Sequence, residues 1–232
     1  MPRRLLLKAL AGGLLLQTDK VPGIRYIPTA TAGDGGQGMS ADQADALPQK
    51  VLLFSGHMID APGRKEPRFP PDKEPIAAEA IAKALAGLDA GPGDVAICSG
   101  ACGGDLLFAE ACLALGLRLE LYIPFDEATF LAKSVDFAGS RWRDRFFEVK
   151  SKAVLHVMPD ELGPLPADAD PYERTNLWML KSAARFGDEK VFFLCLWDGR
   201  GGDGPGGTQH LMQEVQRKSG RTLWLNTTTL WS

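Results

Sequence analysis

The chain has 232 residues, of which 45% are hydrophobic and 24% charged, with a formal net charge of −3. That balance supports a full core in one domain and gives no global basic field, so nucleic acid is not expected as a partner. No stretch approaches the roughly 18 uninterrupted apolar residues of a membrane span, so a membrane is not expected either.

Residues 1–16 combine a basic start with a leucine-rich stretch. They fit a docking helix or the end of a preceding helical domain. A secretory or twin-arginine signal is the alternative, but Lys8 interrupts the apolar run and no small-residue cleavage site follows closely. Residues 17–49, rich in Gly, Thr, Asp, Ala and Pro without a sustained period, read as a linker. The expected organisation is therefore an N-terminal helix and linker over 1–49 and a folded domain over 50–232.

From Lys50 onward short apolar runs alternate with helical periodicity. Strands are expected at 50–55 (KVLLFS), 94–98 (DVAIC), 118–123 (RLELYI), 153–158 (AVLHVM), 190–197 (KVFFLCLW) and 222–226 (TLWLN). Helices are expected at 76–88, 105–115, 126–134, 140–150, 171–186 and 208–218, with Asp170 as an N-cap. Continuous rather than alternating apolar strands, separated by helices, predict a Rossmann-like three-layer α/β/α fold around a mainly parallel sheet.

In such a sheet ligands bind beyond the carboxyl ends of the strands. Three loops at that end carry the candidates. The first offers Gly56, His57, Asp60, Arg64 and Arg68, where a glycine permits close ligand approach and the arginines suit an anion. The second is Ser99-Gly100-Ala101-Cys102-Gly103-Gly104-Asp105, a glycine-rich turn into a helix whose first N–H groups suit a phosphate. Asp105 there also fits an N-cap. The third runs from Trp197 through Asp198 to Gly206-Gly207-Thr208 and repeats the pattern. At the start of the helix over 171–186, Arg174 suits a phosphate and Asn176 a base or ribose, with Glu173 three residues from Asn176. A flexible hairpin, tight packing or surface ion pairing would explain the same residues structurally.

Cys98, Cys102, Cys112 and Cys195 form neither a CxxC pair nor a disulfide-like framework, and His57, His156 and His210 lie far apart. No metal and no resident cofactor is expected. Cys98 and Cys195 read as core thiols, and the cysteine usage suits a reducing cytoplasm.

The segment SGACGGDLLFAEACLALG (99–116) resembles the strand–loop–helix motif of the SLOG superfamily, which includes DprA-like DNA-processing proteins and LOG phosphoribohydrolases. GPGGT at 204–208 is similar to the second glycine-rich motif of that group, and Arg174 to Asn176 to its ligand-side helix start. The resemblance spans about 50–226 and is closest in style to SLOG-type domains attached to bacterial tetratricopeptide or signalling proteins. It implies a Rossmann-like fold, a nucleotide-derived ligand, and a tetratricopeptide or effector domain as partner, with self-association open. LOG enzymes carry a glutamate soon after their Gly-Thr pair. Here Thr208 is followed by Gln209, His210, Leu211, Met212 and Gln213 before Glu214, so that carboxylate is unmatched.

The leading expectation is a nucleotide-sensing domain. An enzyme acting at an N-glycosidic bond is the alternative, with Asp60, Asp105 and Asp198 as candidate catalytic carboxylates and His57 beside them. A purely structural interaction domain is the third reading.

Overall fold

A computed structural model describes residues 24–27, 47–201, 207–218 and 221–232. The expected helix over 1–16 lies outside them. In chain order the elements are β1 (Ile24–Ile27), β2 (Val51–Gly56), α1 (Glu74–Gly87), β3 (Val95–Cys98), α2 (Gly104–Ala114), β4 (Arg118–Ile123), α3 (Glu127–Ser134), α4 (Ser140–Lys150), β5 (Val154–Val157), α5 (Met158–Leu162), α6 (Pro171–Ala184), β6 (Val191–Trp197), α7 (Thr208–Arg217), β7 (Arg221–Asn226) and α8 (Thr227–Leu230).

The sheet has seven strands in the order β1-β7-β6-β2-β3-β4-β5. Strands β2 to β7 are mutually parallel, and β1 alone runs antiparallel, along β7. The six strands expected from apolar runs are all present. Strand β1 lies within the stretch read as a linker, and α5 and α8 are short helices that the periodicity did not reveal.

Alternation along each strand sorts side chains to opposite faces. On one face Leu52, Phe54, Ala96, Cys98, Leu119, Leu121, Leu194 and Leu196 pack under α1 to α4, through residues such as Ile81, Leu106, Phe130 and Phe146. On the other face Val51, Leu53, Val95, Ile97, Phe193 and Cys195 pack under α6 and α7, through Met179, Leu180, Leu211 and Val215. With both faces covered, no strand residue needs to be polar, which is why β6 is buried along its whole length. The carboxylate of Asp170 accepts from the Glu173 amide at 2.8 Å and caps α6 as expected.

The topology fixes where a crevice forms. The chain leaves β2 toward β3 through α1 on one face, and later returns from the far edge to place β6 on the other side of β2, continuing into α7 on the opposite face. The loops after β2 and β6 therefore part at a topological switch point, the place where open α/β sheets hold ligands.

Among the described residues, no helix is long and apolar enough to cross a membrane. All four cysteines are free and buried. Burial pushes the Cys102 thiol up to about 12, far from the thiolate a nucleophile needs.

Candidate functional site

Strand β2 ends at Ser55-Gly56, and the next residues lock onto two neighbours at once. The His57 amide donates to Leu196 O at 2.9 Å, while His57 O accepts from the Gly104 amide at 3.0 Å. The Ile59 amide donates to Cys102 O at 3.2 Å, and Met58 bridges Gly103. This approach is why Gly103 is a glycine. Its φ is +102°, and a Cβ there would stand 2.6 Å from the Ile59 nitrogen. Gly56 is crowded by side chains alone, since a Cβ would meet the Phe54 ring at 2.9 Å and Leu196 Cβ at 3.1 Å.

The glycines of the second loop thus serve close packing. The Gly104 amide is spent on His57 O, and neither Gly100, Gly103 nor Gly104 borders the cavity described below. The N-cap of α2 is Gly103, not Asp105. Asp105 instead accepts from the Ala101 amide at 3.4 Å through Oδ2, and its Oδ1 has no hydrogen-bond partner among the described residues. The residue is 6% exposed. Burial pushes its carboxyl up to about 7, against the pull of the surrounding amides of Ala101, Gly100, Ser99 and Gly56.

The long loop after β2 closes on itself. Asp60 accepts from the amides of Arg68 at 2.9 Å and Phe69 at 3.0 Å, and pairs with Arg64 Nε at 3.5 Å. Trp231, just past α8, donates its indole N–H to Arg68 O at 3.0 Å and stacks on Phe69 with centroids 5.4 Å apart. The two arginines are held on a braced loop rather than a free one.

The loop after β6 is tied back to the first. The His57 Nε2 atom accepts from the Asp198 amide at 3.1 Å and lies 3.3 Å from Asp198 Oδ1. Burial lowers the His57 pKa and Arg68 adds to the lowering, against the opposing pull of Asp198. The Asp198 Oδ1 atom also accepts from the Arg200 amide at 3.0 Å. The Trp197 indole donates to Arg200 O at 2.7 Å and the Trp224 indole to Trp197 O at 2.9 Å. Helix α7 then starts at Thr208 with Gly207 as N-cap and no side-chain cap, so its first amides have no intrahelical partner.

These loops enclose a cavity of about 340 Å³. Of the residues expected from sequence, it is lined by Gly56, His57, Asp60, Arg64, Arg68, Ser99, Asp105, Asn176, Gly207 and Thr208. Gly206 lies outside the described residues. Asp198 stands behind His57 rather than on the wall. Arg174 is not brought to the cavity. Its guanidinium donates to the carbonyls of Leu162, Gly163 and Pro164 and fastens the α5–α6 connection. Of the three candidate carboxylates, Asp60 and Asp198 are engaged by loop amides, and Asp105 keeps an unpaired oxygen in the wall.

Tyr172 and Thr175, from the same helix start as Asn176, also line the cavity, as do Ser55, Phe130, Ser134 and Phe137, which were not expected from sequence. Ser134 is 1% exposed, and its Oγ has no partner among the described residues. It closes α3, a helix placed over the site only by the tertiary fold, and no local motif marks it. Ser55 could have been noticed as the one hydroxyl at the end of an apolar strand.

Exposure grades across the cavity. Met58 at 41% and Tyr172 at 39% are open to water, and the Arg64 side chain is 31% exposed. Phe130, Ser134 and Asp105 are buried. Arg64 therefore stands toward the mouth, while the acid and the hydroxyl are buried.

No family model matches the sequence, and no curated protein matches it. Among solved structures, the chain is similar to DNA processing protein A (DprA) from Streptococcus pneumoniae, at 13% identity and a TM-score of 0.36 over 79% of this chain. It spans 61% of that protein's length. It is also similar to the Helicobacter pylori DNA processing protein A, at 14% identity and a TM-score of 0.34 over 75% of each chain. These are remote resemblances of fold. The second structure is described as giving insight into a single-stranded DNA binding mode. The expectation that nucleic acid is no partner is corrected accordingly. A net charge summed over the chain does not speak for local surfaces such as that of Arg64 and Arg68.

Proposed function

We propose that this Rossmann-like domain binds a nucleotide or nucleotide-derived ligand in the cavity at the switch point and acts as a sensor. The observation that supports this most is the convergence of loops after β2, β3 and β6, with Arg64, Arg68 and the start of α7, on one hollow. An anion at that position meets two guanidinium groups, helix amides and the Thr208 hydroxyl. Buried aromatic surface at Phe130 suits a flat ring. The SLOG resemblance of residues 99–116 and 204–208 supports the same reading, and with it a helical or effector domain that receives the signal.

The test is thermal unfolding with inorganic phosphate, nucleoside monophosphates, nicotinamide mononucleotide and a single-stranded oligonucleotide. A ligand at 100 times its Kd raises stability by about 2.7 kcal/mol. Failure of every phosphate-bearing compound to shift unfolding contradicts the proposal.

One observation favours a second reading, cleavage at an N-glycosidic bond. A carboxyl titrating at about 7 inside a cavity is suited to protonate a leaving base. Base release from nucleoside monophosphates, abolished in Asp105→Asn, would support it. Release unchanged in that variant would exclude Asp105 from the role.

A further inference from the structure

The residues lining the cavity include two with a buried side-chain oxygen that has no hydrogen-bond partner among the described residues. Asp105 Oδ1 comes from the start of α2 and Ser134 Oγ from the end of α3. Their elements are joined directly, since the Cys102 amide in the turn before Asp105 donates to Ser134 O at 2.9 Å. Both residues border the same hollow, together with Phe130 and Phe137. An unsatisfied buried polar atom costs stability, and two converging on one wall are hard to account for by packing. An alanine at 134 would fill the core position without the orphaned hydroxyl. An asparagine at 105 would avoid burying a carboxylate.

We propose that Asp105 and Ser134 form a subsite that seats the base-like end of the ligand, a planar heterocycle or carboxamide presenting a hydrogen-bond donor beside an acceptor. The inference rests on the nucleotide reading above and specifies which end of the ligand enters first. The carboxyl and the hydroxyl can each give or take a hydrogen bond, which matches a mixed donor–acceptor edge. The Phe130 and Phe137 rings supply apolar surface for its faces. Arg64 stands at the more exposed end, so the phosphate remains toward the mouth. For Asp105, the raised carboxyl pKa agrees with a group that keeps its proton available.

The discriminating signature is opposite movement of stability and affinity. Isothermal titration of the full chain is carried out with adenosine, guanosine, cytidine and uridine 5′-monophosphates, nicotinamide mononucleotide and ribose 5-phosphate. These are repeated on Asp105→Asn and Ser134→Ala, with urea unfolding of each. At least one base-bearing compound should bind about tenfold or more tightly than ribose 5-phosphate. Both variants should lose about tenfold for that compound, the scale of a hydrogen bond. They should bind ribose 5-phosphate unchanged, and be as stable as the parent or more so. Equal losses for ribose 5-phosphate would place the sugar or phosphate at these residues and overturn the inference. So would a base that adds nothing to affinity, or variants that lose stability with no change in binding. If the parent chain binds none of the compounds, the nucleotide reading itself fails, a result distinct from the others.

Discussion

Ser55 Oγ and Thr208 Oγ1 lie 3.0 Å apart although 153 positions separate them in sequence. This contact stitches the end of β2 to the start of α7 across the switch point, at the place where a phosphate would meet free helix amides. Thr208→Val keeps the shape and removes the hydroxyl. It should cost about 1 kcal/mol of stability and weaken binding of nucleoside monophosphates, while Thr208→Ser should restore both. Urea unfolding and titration calorimetry on the two variants check this. Full affinity in Thr208→Val would remove the hydroxyl from the site.

Asp105 makes stability depend on pH in a definite direction. Its carboxyl titrates at about 7 in the fold against 3.8 ordinarily, so the folded state holds the proton more tightly than the unfolded chain. The associated stability is complete below about pH 4 and is lost as pH rises through 7. Asp105→Asn should therefore leave stability near pH 4 little changed and raise it at pH 8, by up to about 4 kcal/mol. Denaturation at the two pH values reads the difference, and an equal effect at both would show that the carboxyl is not perturbed.

His57 works in the opposite sense. Burial lowers its pKa below 6.5, so its contribution is present above pH 6.5 and lost as pH falls through the folded value. NMR titration of the imidazole should give a midpoint below 6.5. A midpoint above 6.5 would mean that Asp198 outweighs burial.

Arg174 provides a control. Its three carbonyl acceptors belong to the α5–α6 connection, so Arg174→Ala should lower stability by about 1 to 3 kcal/mol without changing nucleotide affinity. Arg68→Ala should do the reverse, weakening affinity most at low ionic strength. Gly103→Ala is expected to be more damaging than either, because strain at φ +102° adds to the 2.6 Å approach to Ile59.

Much of the fold was legible because strands buried on both faces leave an unmistakable record, a continuous run such as Val191–Trp197 between helical repeats. Strand β1 left none. It has four residues, IRYI, set between prolines, and it forms only by adding to β7. The site was half legible. Gly56, Arg68, Asp105 and Thr208 could be placed because strand-to-helix loops of this fold share one end of the sheet. Glycine-rich composition could not say whether Gly103 faces a phosphate or another strand's backbone, since both demand a missing side chain. The choice lies in φ and in Ile59. The sequence could not show that Arg174 lies away from the cavity, because the carbonyls that hold it come from a loop with no sequence signature. Ser134 depends wholly on where α3 packs.

If the loops after β2, β3 and β6 act together as one binding surface, a single ligand must perturb all three. The most direct measurement is a backbone amide NMR map of the full chain on adding the tightest-binding nucleoside monophosphate. Shifts concentrated at Gly56 to Asp60, Ser99 to Asp105, and Gly207 to Thr208, saturating together with one dissociation constant, are predicted. Shifts confined to other surfaces, or to one of these loops without the others, would contradict the account.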